Sequence, residues 1–153
     1  TNALLQILNR YDIFVASEFV YRAMFSDDNY EENCRRVLKM GPEIVVFTFG
    51  ADGCCGMERN GAFFRQNAFH VDVTDTVGAG DVFHGAFLAG LIRGMTVPEA
   101  ARFSSAVSAI KCTRIGGRAG IPDYDTAIRF MQTGQIDYTQ IDARVRFYEK
   151  GFC

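Results

Sequence analysis

The chain has 153 residues, enough for one folded domain with a core of its own. Its 48% hydrophobic and 22% charged residues are typical of globular proteins, and no apolar run is long enough to cross a bilayer. A formal net charge of -2, with no long block of Lys or Arg, argues against a nucleic-acid partner. We therefore expect no nucleic-acid partner and no membrane partner.

Cysteine usage and the first residues indicate where the protein resides and how the chain begins. The five cysteines are irregularly spaced, with no C-x-x-C pair and no zinc-type Cys/His cluster. This pattern favours reduced thiols and hence a cytoplasmic protein. The chain opens on Thr1 rather than Met, followed by apolar residues typical of a helix already under way. We interpret it as the carboxy-terminal part of a longer protein.

The first predicted elements alternate between helix and strand. A helix over residues 2–10 precedes a short apolar strand at 12–16. Helices follow at 18–25, with Ser17 placed to cap the first of them, and at 31–40.

The next segment is predicted to form a sheet. The continuous β-branched run at 43–49 is typical of a strand in a parallel sheet that is covered on both faces. Strands at 54–59 and 62–66 then form a hairpin, because Asn60-Gly61 is a strong signal for a two-residue turn.

The second half is predicted to be mostly helical. A strand at 69–73 leads to a helix at 79–93, which is apolar almost all round and therefore expected to be buried. Further helices span about 98–113 and 123–131. Alternating helices and strands predict an α/β fold over residues 1–132. The tail at 133–153 is interpreted as an extension, with a pattern that fits either helix or strand.

The segment Asp75-Thr76-Val77-Gly78-Ala79-Gly80-Asp81 carries the clearest chemistry. The first turn of a helix leaves its amide donors unpaired, so the N–H groups from Gly78 to Asp81 are predicted to form an anion site. Asp81 would lie beside the bound anion as a general base, an arrangement that indicates phosphoryl transfer to a hydroxyl group. A dinucleotide fingerprint is excluded because Phe83 stands where it needs glycine, and a P-loop is excluded because Asp81 replaces its lysine.

Residues 75–83, 48–53 and 112–122 carry three motifs, and together these motifs resemble those of the ribokinase-like (PfkB) carbohydrate kinases. Residues 75–83 are similar to the second signature of that family, and Thr48-Phe49-Gly50-Ala51-Asp52-Gly53 is similar to its nucleotide loop. Residues 112–117 and 121–122 are similar to the loop that closes the nucleotide pocket. The resemblance implies a three-layer α/β/α Rossmann-like fold and ATP-dependent transfer of the γ-phosphate to a hydroxyl of a sugar or sugar acid.

The resemblance also implies roles for individual residues. Asp81 would be the catalytic base, and the amides of Gly78, Ala79, Gly80 and Asp81 would form the anion hole. The residues implied to contact ATP are Thr48, Gly50, Gly53, Gly80 and Ser105. ATP would come with Mg²⁺, and a monovalent cation such as K⁺ would lie behind the anion hole. The ligands implied for that cation are Asp75, Val77, Lys111, Arg114, Gly116 and Gly120.

One departure from the family pattern concerns Mg²⁺. Family members usually carry an Asn-x-x-Glu motif that organises this ion, whereas this chain has Ser17 and Val20 at those positions. Our hypotheses are that Glu18 or Asp52 supplies part of that charge, or that Mg²⁺ is held mainly by the nucleotide.

The resemblance covers only part of a kinase. The amino-terminal half of the fold, with the sugar pocket and the lid, has no counterpart in these residues, so we expect the fragment alone to be inactive. The full-length protein is expected to bind ATP and a small sugar-like acceptor, with a homodimer as one option. Two alternatives stay open: a nucleoside or vitamin-alcohol kinase of the same fold, and a catalytically silent nucleotide-binding homologue.

Overall fold

A computed structural model describes residues 7–150. The chain divides into two compact units, the first ending at Ala68 and the second beginning at Phe69. Most of the helix predicted at 2–10 lies outside the described residues, and its last part is a 3₁₀ turn at Leu8–Arg10.

The first unit is built on a four-stranded sheet in the order β1-β2-β3-β4. The strands are β1 (Ile13–Ser17), β2 (Ile44–Thr48), β3 (Cys54–Glu58) and β4 (Phe64–Gln66). β1 pairs with β2 in parallel, with Phe14 opposite Val45, whereas β2–β3 and β3–β4 are antiparallel. The sheet is therefore mixed, and the prediction of a parallel environment holds only for one edge of β2.

Two helices connect the parallel strands, as a parallel pair requires. They are α1 (Glu18–Met24) and α2 (Tyr30–Lys39). Ser17 occupies the position before α1, but its side chain makes no capping hydrogen bond, so that part of the prediction is wrong. The predicted burial of β2 on both faces is confirmed, because the consecutive residues Val45, Val46 and Phe47 are all fully buried.

The hairpin is present, but its turn differs from the predicted one. A two-residue turn of the expected type needs positive φ at both central residues. Neither Asn60 nor Gly61 has a positive φ. The connection instead spans residues 59–63, and the Gly61 amide donates to the Glu58 carbonyl at 3.0 Å. Gly61 is therefore the last residue of a four-residue β-turn, a position that does not require a positive φ.

The second unit is helical in its described part. The helices are α3 (Ala79–Ile92), α4 (Val97–Cys112), α5 (Tyr124–Thr133) and α6 (Thr139–Lys150). α4 begins with a reciprocal cap, since the Thr96 hydroxyl accepts from the Glu99 amide and the Glu99 carboxylate accepts from the Thr96 amide. Within residues 7–150, no helix is long and apolar enough to cross a membrane.

α3 is less buried than its composition predicts. Phe83 and Phe87 are buried, but Leu88 is 47% exposed and Ile92 is 85% exposed. The prediction of burial all round is therefore wrong for this structure. The amino-acid composition of a helix does not say which of its faces is covered. Here α4 covers one face of α3, where Gly90 lies close to Ala100.

The strand predicted at 69–73 is also wrong, because these residues form no ladder. Phe69 packs instead on Phe130, with ring centroids 5.1 Å apart, and Val71 joins the same apolar cluster. A strand needs a neighbouring strand for its backbone, and none is present in the described part of this unit.

The tail, whose pattern fits either helix or strand, is helical from Thr139. Ile141 is buried in the cluster formed by α4 and α5, and the Arg114 guanidinium pairs with Asp142 at 2.8 Å. The domain boundary placed at 132/133 stays a prediction.

Candidate active site

A left-handed glycine begins the helix that carries the predicted base. Gly78 has φ +75° and precedes α3, a conformation that side-chain-bearing residues rarely adopt. A Cβ atom added there would lie 3.3 Å from the Gly117 Cα, so the loop at residue 117 packs closely on this turn. The hydroxyl of Ser108 donates to the Ala79 carbonyl at 3.0 Å and holds the start of α3 on α4.

The free amides of this turn are fewer than the sequence predicts. The Ala79 amide donates to the Thr76 carbonyl at 3.0 Å, so it is already used within the turn. In the described structure the amides of Gly78, Gly80 and Asp81 make no such bond. Gly80 and Asp81 are also exposed, which leaves their N–H groups and the Asp81 carboxylate open to a ligand.

Asp75 ties the turn to the loop that follows α4. Its Oδ1 accepts from the Val77 amide at 2.8 Å, and its Oδ2 accepts from the Gly116 amide at 2.7 Å. These amides, first that of Val77 and then that of Gly116, hold the pKa of the Asp75 carboxyl below its ordinary value. The Asp-x-Val spacing could have suggested the first bond, since Asp often accepts from the amide two residues on. Nothing in the sequence near Asp75 indicates the second bond, which comes from the Gly116 amide.

We expect Asp75→Asn to lower stability, because an amide can accept only one of these two bonds and presents a donor to the other N–H. The carboxylate pKa is depressed in the folded state, so its stabilising effect is present above its unfolded pKa and disappears as the pH falls through the folded pKa. Urea unfolding at several pH values checks this: the gap between wild type and variant should be largest near neutrality and close in acid. The exposed Asp72→Asn is the control and should leave the urea midpoint close to that of the wild type.

The residues implied as cation ligands surround the end of α4. Lys111 is fully buried, and its Nζ donates to the Asp75 carbonyl at 2.9 Å. The Lys111 carbonyl accepts from the Arg114 amide at 3.2 Å. Gly120 lies against that same carbonyl, with an added Cβ only 2.5 Å from its oxygen. The resemblance implies Lys111 as a cation ligand, and sequence reasoning missed the contact of its side-chain ammonium with Asp75.

A cavity of about 710 Å³ opens beside the turn. Gly78 and Asp81 line it, and the rest of its wall is mostly apolar side chains of α3, α4 and the loop at 117–124. Ser105 lies on α4 but does not line this cavity, whereas Phe103 and Val107 do. Ser105 therefore lies on a helix that contacts α3, but it does not lie on the wall of the cavity.

The implied nucleotide loop lies in the first unit. Thr48 ends β2, and Gly50 and Gly53 bound the short turn that follows. Gly50, with φ +57°, has open space where a Cβ would lie. Gly53 has φ +86°, and a Cβ there would lie 2.0 Å from the Gln66 carbonyl oxygen. Gly53 is thus required by the fold, whereas Gly50 leaves its side of the turn accessible.

The carboxylates considered for Mg²⁺ are exposed. Glu18 forms an ion pair with Arg22 at 3.4 Å, one turn along α1, and Asp52 lies in the turn before Gly53. Over residues 7–150 there is no group of three His, Cys, Asp or Glu residues that could hold a metal ion. In the described part of the chain, no disulfide links Cys34, Cys54, Cys55 or Cys112.

The geometry is that of an α/β protein with unpaired amides at a helix start, an arrangement suited to an anion. Residues 1–124 match the sequence model described as pfkB family carbohydrate kinase. The chain belongs to this family, which confirms the resemblance and the ribokinase-like α/β fold class.

Similar proteins include kinases for several sugars. An ATP-dependent 6-phosphofructokinase of Thermoanaerobacterium thermosaccharolyticum is 33% identical over 78% of this chain and 37% of its own length. A 5-dehydro-2-deoxygluconokinase of Shouchella clausii is 34% identical over 60% of this chain and 28% of its own.

A solved structure shares the fold. An E. coli protein assigned as ribokinase II, in complex with ATP and Mg²⁺, superposes with a TM-score of 0.76 at 27% identity over 86% of this chain and 42% of its own. The chain therefore spans less than half the length of these relatives.

Proposed function

We propose that the full-length protein is an ATP-dependent phosphotransferase that moves the γ-phosphate to a hydroxyl of a sugar or sugar acid. The observation that carries this proposal is the exposed Asp81 carboxylate on the first turn of α3, beside the unpaired amides of Gly80 and Asp81. The names of the related kinases, which include a phosphofructokinase and a sugar-acid kinase, support the acceptor class.

In the proposed reaction, the Asp81 carboxylate takes the proton of the acceptor hydroxyl as its oxygen attacks the γ-phosphorus. The bond from the γ-phosphorus to the bridging oxygen breaks, and ADP leaves with that oxygen. The amides of Gly78, Gly80 and Asp81 stabilise the charge on the transferring group, helped by the positive end of the helix dipole. Transfer of this kind depends mainly on positioning and charge stabilisation rather than on covalent chemistry.

We propose that Mg²⁺ enters on the nucleotide phosphates. This ion commonly keeps several waters and binds through substrate phosphates with only one or two carboxylates. The exposed positions of Glu18 and Asp52 suit at most an outer, water-mediated role. When bound, the ion neutralises phosphate charge, and Thr48, Gly50 and Gly53 are proposed to contact the nucleotide in the first unit.

The test is an ADP-release assay of the full-length protein with Mg²⁺ and ATP against a panel of sugars, sugar acids, nucleosides and vitamin alcohols. We expect turnover with at least one sugar or sugar acid and little turnover by residues 1–153 alone. Preference for a nucleoside or vitamin alcohol would move the acceptor class to the first alternative. ADP release at background with every acceptor would contradict the proposal and favour the silent homologue. The homodimer and the cytoplasmic location stay predictions.

A further inference from the structure

Lys111 stands out because a fully buried ammonium is costly. It lies in the last turn of α4 with none of its surface exposed, and no other Lys, Arg, Asp or Glu whose side chain the structure describes is buried to this degree. Moving an ammonium group out of water costs several kcal/mol unless it is compensated by charges and hydrogen bonds. A polar partner is present, since the ammonium donates to the Asp75 carbonyl at 2.9 Å.

That ammonium lies among the groups that the resemblance implies for a monovalent cation. The Asp75 carboxylate is close enough for the charge of Lys111 to contribute to its lowered pKa, after the backbone amides. The site behind the anion-binding turn therefore already holds one positive charge. That charge is the ammonium of a residue of α4.

The oxygens around Lys111 are already engaged by donors. Both carboxylate oxygens of Asp75 accept backbone amides, and the Asp75 carbonyl accepts from Lys111 itself. The Lys111 carbonyl accepts from Arg114 and has Gly120 packed against it. A desolvated ammonium would also repel a second cation strongly. Asp75 and Lys111 therefore do not fit the role of ligands to a bound K⁺ ion.

We propose that the Lys111 ammonium takes the place of the monovalent cation behind the anion-binding turn, so that this protein neither binds nor requires K⁺. Its charge holds the Asp75 carbonyl and the turn before α3 in position. The consequence for catalysis rests on the proposed kinase function, whereas the consequence for cation binding does not.

Melting curves of the full-length protein in KCl and in choline chloride, at equal ionic strength and without nucleotide, test the binding part. The wild type should melt at the same temperature in both salts. Lys111→Ala removes the ammonium and leaves oxygens facing a void, so K⁺ should raise its melting temperature by about 2 °C if the salt is at ten times the dissociation constant. Lys111→Arg, which keeps the charge, should be insensitive to K⁺.

Lys39→Ala is the control, because Lys39 is an exposed lysine in the last turn of another helix, α2. It should respond equally to both salts. A K⁺-specific rise in the wild type overturns the proposal, and so does a folded Lys111→Ala that melts identically in both salts. If Lys111→Ala unfolds in every salt, the wild-type comparison decides alone.

Kinase rates give the second readout. Wild-type turnover should be equal in the two salts, whereas Lys111→Ala should lose activity in choline chloride and regain part of it in KCl. Wild-type turnover that depends on K⁺ overturns the proposal. If no variant and no salt gives turnover, the proposed function has failed, and the melting curves still decide the role of Lys111.

Discussion

Replacing Asp81 with Asn is expected to lower the kcat of the full-length enzyme by about 10²–10⁴-fold, the usual contribution of a general base. Asparagine has nearly the same size, and the backbone amides of the turn stay in place, so ATP binding should change little. The amide cannot take the proton of the acceptor hydroxyl, and only the chemical step should therefore suffer. Single-turnover rates and nucleotide affinity, measured on the same preparation, separate the two effects.

The matched control is Asp125→Asn. Asp125 is an exposed carboxylate in the first turn of α5, so its replacement removes the same charge from the first turn of another helix. We expect its kcat to stay near the wild-type value. If Asp81→Asn retains near-normal turnover, Asp81 is not the base.

Gly53→Ala is expected to destabilise the protein by about 2–5 kcal/mol, from a backbone penalty and a steric clash together. The backbone at Gly53 has φ +86° and ψ -138°, a combination that is almost restricted to glycine. The new Cβ would also lie 2.0 Å from the Gln66 carbonyl oxygen and 2.8 Å from the Ala68 nitrogen, both backbone atoms. The midpoint of urea unfolding should fall accordingly.

Gly50→Ala separates the two causes. Gly50 also has a positive φ, of +57°, but no atom lies within 4 Å of the position of its Cβ. It should therefore cost only the backbone penalty of about 1–2 kcal/mol. Equal unfolding midpoints for the two variants would show that the contact with Gln66 relaxes without cost.

Local features were predictable wherever the physical cause is local. The buried strand β2 follows from a run of β-branched residues, and α4 begins within a residue of the predicted start, where Thr96 and Glu99 cap each other. In each case the deciding atoms lie within a few residues of one another.

Pairing and burial were less predictable because their causes are distant in sequence. The apolar pattern at 69–73 suits a strand, yet these side chains pack against helices in the described structure. The hairpin was predicted, but Asn60 and Gly61 are not the two central residues of its turn. The register of a hairpin depends on cross-strand packing as well as on the turn residues.

The sequence by itself determined the family, the fold class and the candidate base, because the motif at 75–81 concentrates a turn, a helix start and a carboxylate within seven residues. Only the tertiary structure decided which amides of that turn stay free and what lies behind it. The Ala79 amide donates to the Thr76 carbonyl, and the Lys111 ammonium donates to the carbonyl of Asp75, 36 residues away in sequence. The identity of a residue determines which bonds its side chain can make. Packing between residues far apart in the sequence decides which of those bonds form.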